Sequence, residues 1–201
     1  MTKIGIITGS NRDEAQSERI GHYAREQVSA LYPNLSTDFF SLRELNVPLW
    51  QEEKWDKDSE MSEQWAPISK RLADCDGFVV VCPEWAGMAP AHLKNFLLMC
   101  DAGEVAHKPG MLIGVSSGMG GAYPIAELHM SGTKNNFLMW LPDHMIFRNV
   151  KDLFTSPEPT ELDESLTQRL HYSLTFLVEM AEAMGPVREK CQDLKSYKNG
   201  M

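Results

Sequence analysis

The chain has 201 residues, 43% of them hydrophobic, which is enough for one folded domain with a substantial core. A formal charge of −9 argues against DNA or RNA as partners, since such binders present a basic face; small anions stay open, because a few local donors can hold one. No uninterrupted apolar stretch reaches the ~20 residues of a membrane span. Cys75, Cys82, Cys100 and Cys191 form neither a CxxC pair nor a metal-like cluster with histidine, which predicts free thiols, no metal and a cytoplasmic setting.

Lys3–Thr8 (KIGIIT), β-branched and ending at Gly9, is predicted as a buried strand. From Ser17, the residues Ile20, Tyr23, Ala24, Val28 and Leu31 recur at helical spacing until Pro33-Asn34. Leu35–Leu42 is a second strand. Pro48–Ser59 is a charged, unpatterned surface loop, whose Trp50 and Trp55 either cover a pocket, meet another subunit or pack on the domain. Trp65, Ile68 and Leu72 mark one helix face, and Pro67 there requires a place in the opening turn or a kink. Gly77–Cys82 is the clearest strand and ends at Pro83. Ala91–Cys100 is a helix, and Met111–Val115 a fourth strand. The Gly-rich Ser116–Gly121 follows, then a helical segment without a definable end. His144–Phe147 is a fifth strand. Leu166, Leu170, Leu174, Leu177 and Ala181 define a long last helix. Alternating strands and helices imply an α/β domain over residues 1–201. It is expected to be a doubly wound, five-stranded parallel sheet with helices on both faces, in the flavodoxin-like order 2-1-3-4-5.

Ligands of such sheets bind beyond the carboxyl ends of the strands, near the switch between the first and third. Three predicted strands end there in distinctive loops. After the first comes Gly9-Ser10-Asn11-Arg12, running to Gln16 and Ser17. A helix start offers free N–H groups and the positive end of its dipole to an anion, and Arg12 adds a charge. Ser17 is equally an N-cap, and Glu18 would compete with an anion if it pointed inward. The loop is neither a GxxxxGK[ST] nor a GxGxxG motif. After the third strand, Pro83-Glu84-Trp85-Ala86-Gly87-Met88 puts an aromatic ring at the edge; Trp85 either stacks on a planar ligand or anchors the core. After the fourth, Ser116-Ser117-Gly118-Met119-Gly120-Gly121 lets backbone approach a flat ligand, or makes a tight turn.

Together the three loops resemble the NAD(P)H-dependent FMN reductases, with their related quinone, azo and chromate reductases. That family's pattern is roughly G-S-x-R with a following Ser, then P-E-Y-N-x-S-x-P-G-x-L-K-N, then S-x-G-x-x-G-G. Here stand Gly9-Ser10-Asn11-Arg12 with Ser17, then Pro83 to Asn95, then Ser116, Gly118 and Gly120-Gly121. The resemblance implies FMN, its phosphate on Ser10, Arg12, Gln16 and Ser17. The ring would lie between Pro83, Glu84, Trp85, Ala86, Gly87 and the loop of Ser116, Ser117, Gly118 and Gly121. It implies hydride transfer from NAD(P)H to FMN and on to a small acceptor such as free flavin, a quinone, an azo compound or a metal oxyanion. The cofactor carries that chemistry, so no catalytic side chain is named. It also implies a homodimer or homotetramer. The chain departs from the pattern at Trp85-Ala86, where the family has Tyr-Asn, at Met88 for Ser and at Ala91 for Gly. His129–Pro142 looks longer than the family's helix, and Gly132 interrupts it.

Two rival readings follow from the same residues. One is a flavodoxin-like binding or electron-transfer module that has lost reductase activity. The other is a serine esterase using Ser10, which needs a histidine oriented by an acid; the candidates, Asp143-His144 and His171, lack an evident relay.

Overall fold

The β-branched run Lys3–Thr8 forms β1, the strand on which the rest is laid, and the computed structural model describes residues 1–191 of the chain. The predicted domain span 1–201 therefore includes residues 192–201, which lie outside the described ones. The other strands are β2 (Ser36–Ser41), β3 (Gly77–Pro83), β4 (Pro109–Val115) and β5 (Met139–Phe147). All pairings are parallel and the order is β2-β1-β3-β4-β5, as the alternation predicts.

Between them run α1 (Gln16–Leu31), α2 (Leu42–Leu45), α3 (Glu60–Ala73), α4 (Ala91–Met99) and α5 (Ala122–Ser131). α6 (Glu161–Ala183) and α7 (Gly185–Lys190) follow β5. Because strand side chains alternate between faces, the sheet makes two cores. Ile7, Phe78, Val80 and Leu112 face α3, α4 and α5 through Trp65, Leu72, Leu93, Phe96 and Leu128. Ile4, Ile6, Val79, Val81, Met111 and Ile113 face α1 and α6 through Ile20, Ala24, Val28, Leu170, Leu174 and Leu177. The central strands β3 and β4 are buried along their whole length, the mark of a sheet covered on both faces.

Three local expectations are corrected, and one of the two alternatives for Pro67 is excluded. Ser17 is not the N-cap of α1; Ala15 holds that place and no side chain caps the helix. Pro67 lies in the interior of α3, not its first turn. Its missing N–H leaves the Glu63 carbonyl without a helical donor, on a face where both residues are exposed to water. The segment from His129 is not a long helix: α5 stops at Ser131, with Gly132 as its C-cap. β5 then begins at Met139, five residues before His144. It carries Pro142 because it is an edge strand with a register shift opposite Gly110 and Leu112, where a missing N–H interrupts no ladder. Trp140 holds this early half by packing over Gly110 and donating from Nε1 to the Leu128 carbonyl at 2.8 Å.

The Trp50–Trp55 loop contains a 3-10 turn, Glu52–Trp55. Its two indoles meet edge to face, and Trp50 packs on the core while its amide donates to Asn95 Oδ1 at 2.8 Å.

Candidate functional site

Strands β1, β3 and β4 are neighbours in the sheet, so the loops that follow them open on one edge. The β1–α1 loop is drawn against the β3 side. Gly9 N donates to the Val81 carbonyl at 2.9 Å, and Leu93 fills the space where a Cβ on Gly9 would stand. Asn11 Nδ2 meets His92 Nε2 at 3.0 Å, tying the loop to the first turn of α4. Ser10 is buried, and its Oγ accepts from the Arg12 amide at 3.1 Å.

Arg12 is exposed and has no carboxylate partner among the described residues. Gln16 Oε1 accepts from Arg19 Nε at 2.9 Å, which leaves its amide NH2 as the group Gln16 can offer. Ser17 is 1% exposed, and its Oγ has no hydrogen-bond partner. It sits in the first turn of a 16-residue helix whose leading N–H groups lack a side-chain cap. A buried orphan hydroxyl under an uncapped helix start is a donor set that suits a phosphate oxygen.

The β3–α4 loop is a two-residue hairpin. Trp85 N donates to Met88 O at 3.0 Å, and Met88 N returns to Trp85 O at 2.9 Å. Ala86 and Gly87 at its tip have φ of 49° and 77°, the left-handed pair of a type I′ turn. Their amides take no part in the hairpin's own bonds. Trp85 is half-buried and belongs to neither core, so the anchor reading of this ring is not borne out. Met88, where the resemblance has Ser, is 57% exposed and does not fill the cleft between the loops.

Two carboxylates hold this hairpin to the next loop. Glu84 accepts from the Gly121 amide, and its carboxylate occupies the space a Cβ on Gly120 would take. Glu127 on α5 accepts from Ala89 N at 2.8 Å and from Lys94 Nζ at 2.7 Å; the Lys94 bond, then the Ala89 amide, hold its carboxyl below the usual range. Glu84 thus takes the amide of Gly121, the N-cap of α5, and that one N–H is not free for a ligand. Gly118, by contrast, has open space where a Cβ would stand, so a flat group can approach its backbone. Its amide donates to Ser116 Oγ at 3.2 Å, and Ser117 is exposed beside it.

A fourth segment, which sequence reasoning missed, closes the far side. After β5, Asn149 N donates to Gly118 O at 2.9 Å, Val150 N to Ser116 O at 3.1 Å, and Arg148 Nε to Gly120 O at 3.1 Å. Arg19 of α1 locks this segment from the other side, through the carbonyls of Val150 and Leu153. No motif marks these residues; only their position after an apolar strand end pointed to them.

The hydrolase constellation is absent among the described residues. No histidine bonds to Ser10, Asp143 is engaged by Arg169 and Ser173, and His171 bonds Gln27. Cys75, Cys82 and Cys100 are buried free thiols; burial pushes Cys75 up to about 12 and raises the other two as well, so none is a thiolate near neutrality. No group of three or more potential metal ligands occurs among the described residues.

Residues 2–152 match the sequence profile of the family described as NADPH-dependent FMN reductase. A 2-hydroxy-1,4-benzoquinone reductase from a Burkholderia species is 32% identical over 135 residues, 65% of this chain and 68% of the relative. Among solved structures, the flavoenzyme NAD(P)H:(acceptor) oxidoreductase FerB from Paracoccus denitrificans aligns with a TM-score of 0.70 at 18% identity. That alignment covers 92% of this chain and 99% of FerB. An NAD(P)H:quinone oxidoreductase from Methanothermobacter marburgensis aligns with a TM-score of 0.61 at 13% identity, over 86% and 94% of the two chains. At such identities the two structures speak for the fold alone.

Proposed function

Since the chain belongs to the NADPH-dependent FMN reductase family, whose members use FMN with NAD(P)H as donor, we propose that it binds FMN across the three loops and reduces a small quinone-class acceptor. The observation that carries this reading is the buried, unpartnered hydroxyl of Ser17 under the uncapped start of α1, one strand away from the open backbone of the β3–α4 hairpin. The residues present suit the group at both ends. Ser10, Arg12, Gln16 and Ser17 would hold the phosphate, with Arg12 as the charge-assisted donor. The backbone of Glu84, Trp85, Ala86 and Gly87 would border the ring on one side, and that of Ser116, Ser117 and Gly118 on the other, with Pro83 and Gly121 setting where each loop leaves its element. Backbone contacts tolerate the changes at Trp85, Ala86 and Met88, because they do not depend on the side chain.

When bound, FMN supplies the redox chemistry, accepting hydride from NAD(P)H and passing electrons to the acceptor. The chain's own part is to orient and to exclude. Glu84 and Glu127 fix the hairpin against α5, and the segment Arg148–Val150 fixes the Gly-rich loop, so the ring would meet a preformed slot. Met88, Met119 and Tyr123, all exposed, ring the mouth with apolar and polarizable surface, which favours a planar aromatic acceptor over a hydrated oxyanion.

The same reading takes residues 1–201 as one domain and includes a homo-oligomer. Trp55 and Leu98, 66% and 57% exposed, line a groove of about 710 Å³ between α4 and the end of α5, the kind of apolar surface another subunit covers. Buried free thiols support a reducing, cytoplasmic setting, and no described helix is long and apolar enough to cross a membrane.

The test is spectroscopic. Purified protein, or apoprotein titrated with FMN, should show a flavin band that is bleached by NADH or NADPH and restored by a benzoquinone. Arg12→Ala should weaken FMN binding by roughly tenfold or more and leave riboflavin binding nearly unchanged. Protein that takes up no FMN would return the chain to the binding-module reading.

A further inference from the structure

We infer that Arg43 is a positioning residue for the phosphate cradle: it turns the Glu18 carboxylate away from the start of α1 and so keeps that site open to an anion. The inference rests on the FMN reading above. Within the β1–α1 loop and the first turn of α1, the acids Asp13, Glu14 and Glu18 outnumber the one free cation, Arg12. Arg19 is spent on the carbonyls of Val150 and Leu153 and on Gln16. Left to itself, this stretch would repel a phosphate rather than hold one.

The correction comes from a different part of the chain. β2 lies beside β1, so α2, which follows β2 at once, stands next to the loop. From it Arg43 reaches Glu18 Oε2 through Nε at 3.3 Å, Asp13 Oδ1 through Nη1 at 3.7 Å and Glu44 Oε1 through Nη2 at 3.1 Å. The two loop acids are not equal. Asp13 is almost fully exposed, and water screens it whatever Arg43 does. Glu18 has a side chain only 15% exposed, in the same helical turn as the orphan Ser17 hydroxyl. A carboxylate in that place, freed of its partner, would face the helix dipole and compete for the same N–H groups as the phosphate. Glu18 is therefore the acid that Arg43 must occupy.

The experiment compares FMN with riboflavin, which lacks the phosphate, by quenching of flavin fluorescence in the full chain. Arg43→Ala should weaken FMN binding about three- to tenfold with riboflavin unaffected. Glu18→Gln should leave FMN binding equal or tighter, and Arg43→Ala with Glu18→Gln should restore it to the wild-type value. The effect should shrink in high salt. Equal losses for FMN and riboflavin in Arg43→Ala, or a double variant as weak as the single one, overturn the inference. If the wild-type chain itself binds both flavins equally, the phosphate reading of Ser10 to Ser17 falls first and takes this inference with it. A wild type that discriminates, beside an unchanged Arg43→Ala, sinks the inference alone.

Discussion

Glu104 and Lys108 show how a single residue can be required by the fold and invisible as chemistry. Both are buried and precede β4, at the end of the parallel sheet opposite the three loops. Glu104 accepts from Trp65 Nε1 at 2.9 Å, Ser69 Oγ at 2.9 Å and Ala102 N at 2.8 Å. Lys108 Nζ donates to the carbonyls of Leu72, Ala73 and Glu104 at 3.0, 2.8 and 2.7 Å, ending α3 with a cation where its carbonyls lack donors. Burial pushes the Lys108 ammonium down from 10.5 to about 8. Between about pH 8 and 10.5 the unfolded chain thus binds a proton that the folded chain has released, so this residue's contribution to stability rises with pH there and is lost as pH falls through 8. The stability of wild type relative to Lys108→Met should climb by about 2–3 kcal/mol across that window, read from urea denaturation at each pH. A flat difference would mean that the three carbonyls hold the proton on. Ser17 marks the opposite case. The sequence offered it as a cap or a ligand, and the spacing of Ile20, Ala24 and Val28 placed the helix without deciding between them. The cap reading turned on two residues of helix start: with Ala15 as N-cap, Ser17 lies inside the first turn and its hydroxyl is left over.

Among the elements, the β3–α4 hairpin carries the clearest consequence. A type I′ turn needs left-handed backbone at both central positions, and Ala86 holds one of them at φ 49° with a Cβ that this region disfavours. The family resemblance has Asn at this place, and Asn-Gly is the preferred pair for such a turn. Ala86→Asn should therefore stabilise the chain by about 0.5–1 kcal/mol in a denaturant titration without loss of FMN binding. A loss of stability would mean that the hairpin is not the resting form of this loop. The register of β5 was not legible for a related reason. Its first half, Met139-Trp140-Leu141-Pro142-Asp143, shows neither alternation nor a β-branched run. It is a strand because Trp140 finds Gly110 on β4 and Leu128 on α5, partners about thirty and twelve positions away.

For the whole molecule, the α3–α4–α5 side of the sheet carries an exposed apolar groove. On the α3–α4–α5 side, Leu49, Trp55, Leu98 and Met130 remain exposed, and a groove runs beside Trp50 and Trp55. Sedimentation at micromolar concentration should give a homo-oligomer, and the pair Trp55→Glu with Leu98→Glu should give monomer with its helical spectrum intact. A wild-type monomer across that range would remove the subunit reading of these indoles while leaving the cradle untouched, since Ser10, Ser17 and Gly118 all belong to one chain.

The order of elements, the parallel sheet and the three loops that meet at its edge were determined by the sequence alone, because each rests on local pattern: β-branched runs, helical spacing, and glycine or proline at the turns. Which polar or charged group meets which was decided only by the tertiary structure. Glu18 meets Arg43, Glu84 meets Gly121, and Arg148 meets Gly120 across strands that the chain order separates. Hydrophobic periodicity encodes burial one element at a time, whereas charge pairing depends on distances between elements, and those exist only once β2, β1, β3, β4 and β5 stand side by side.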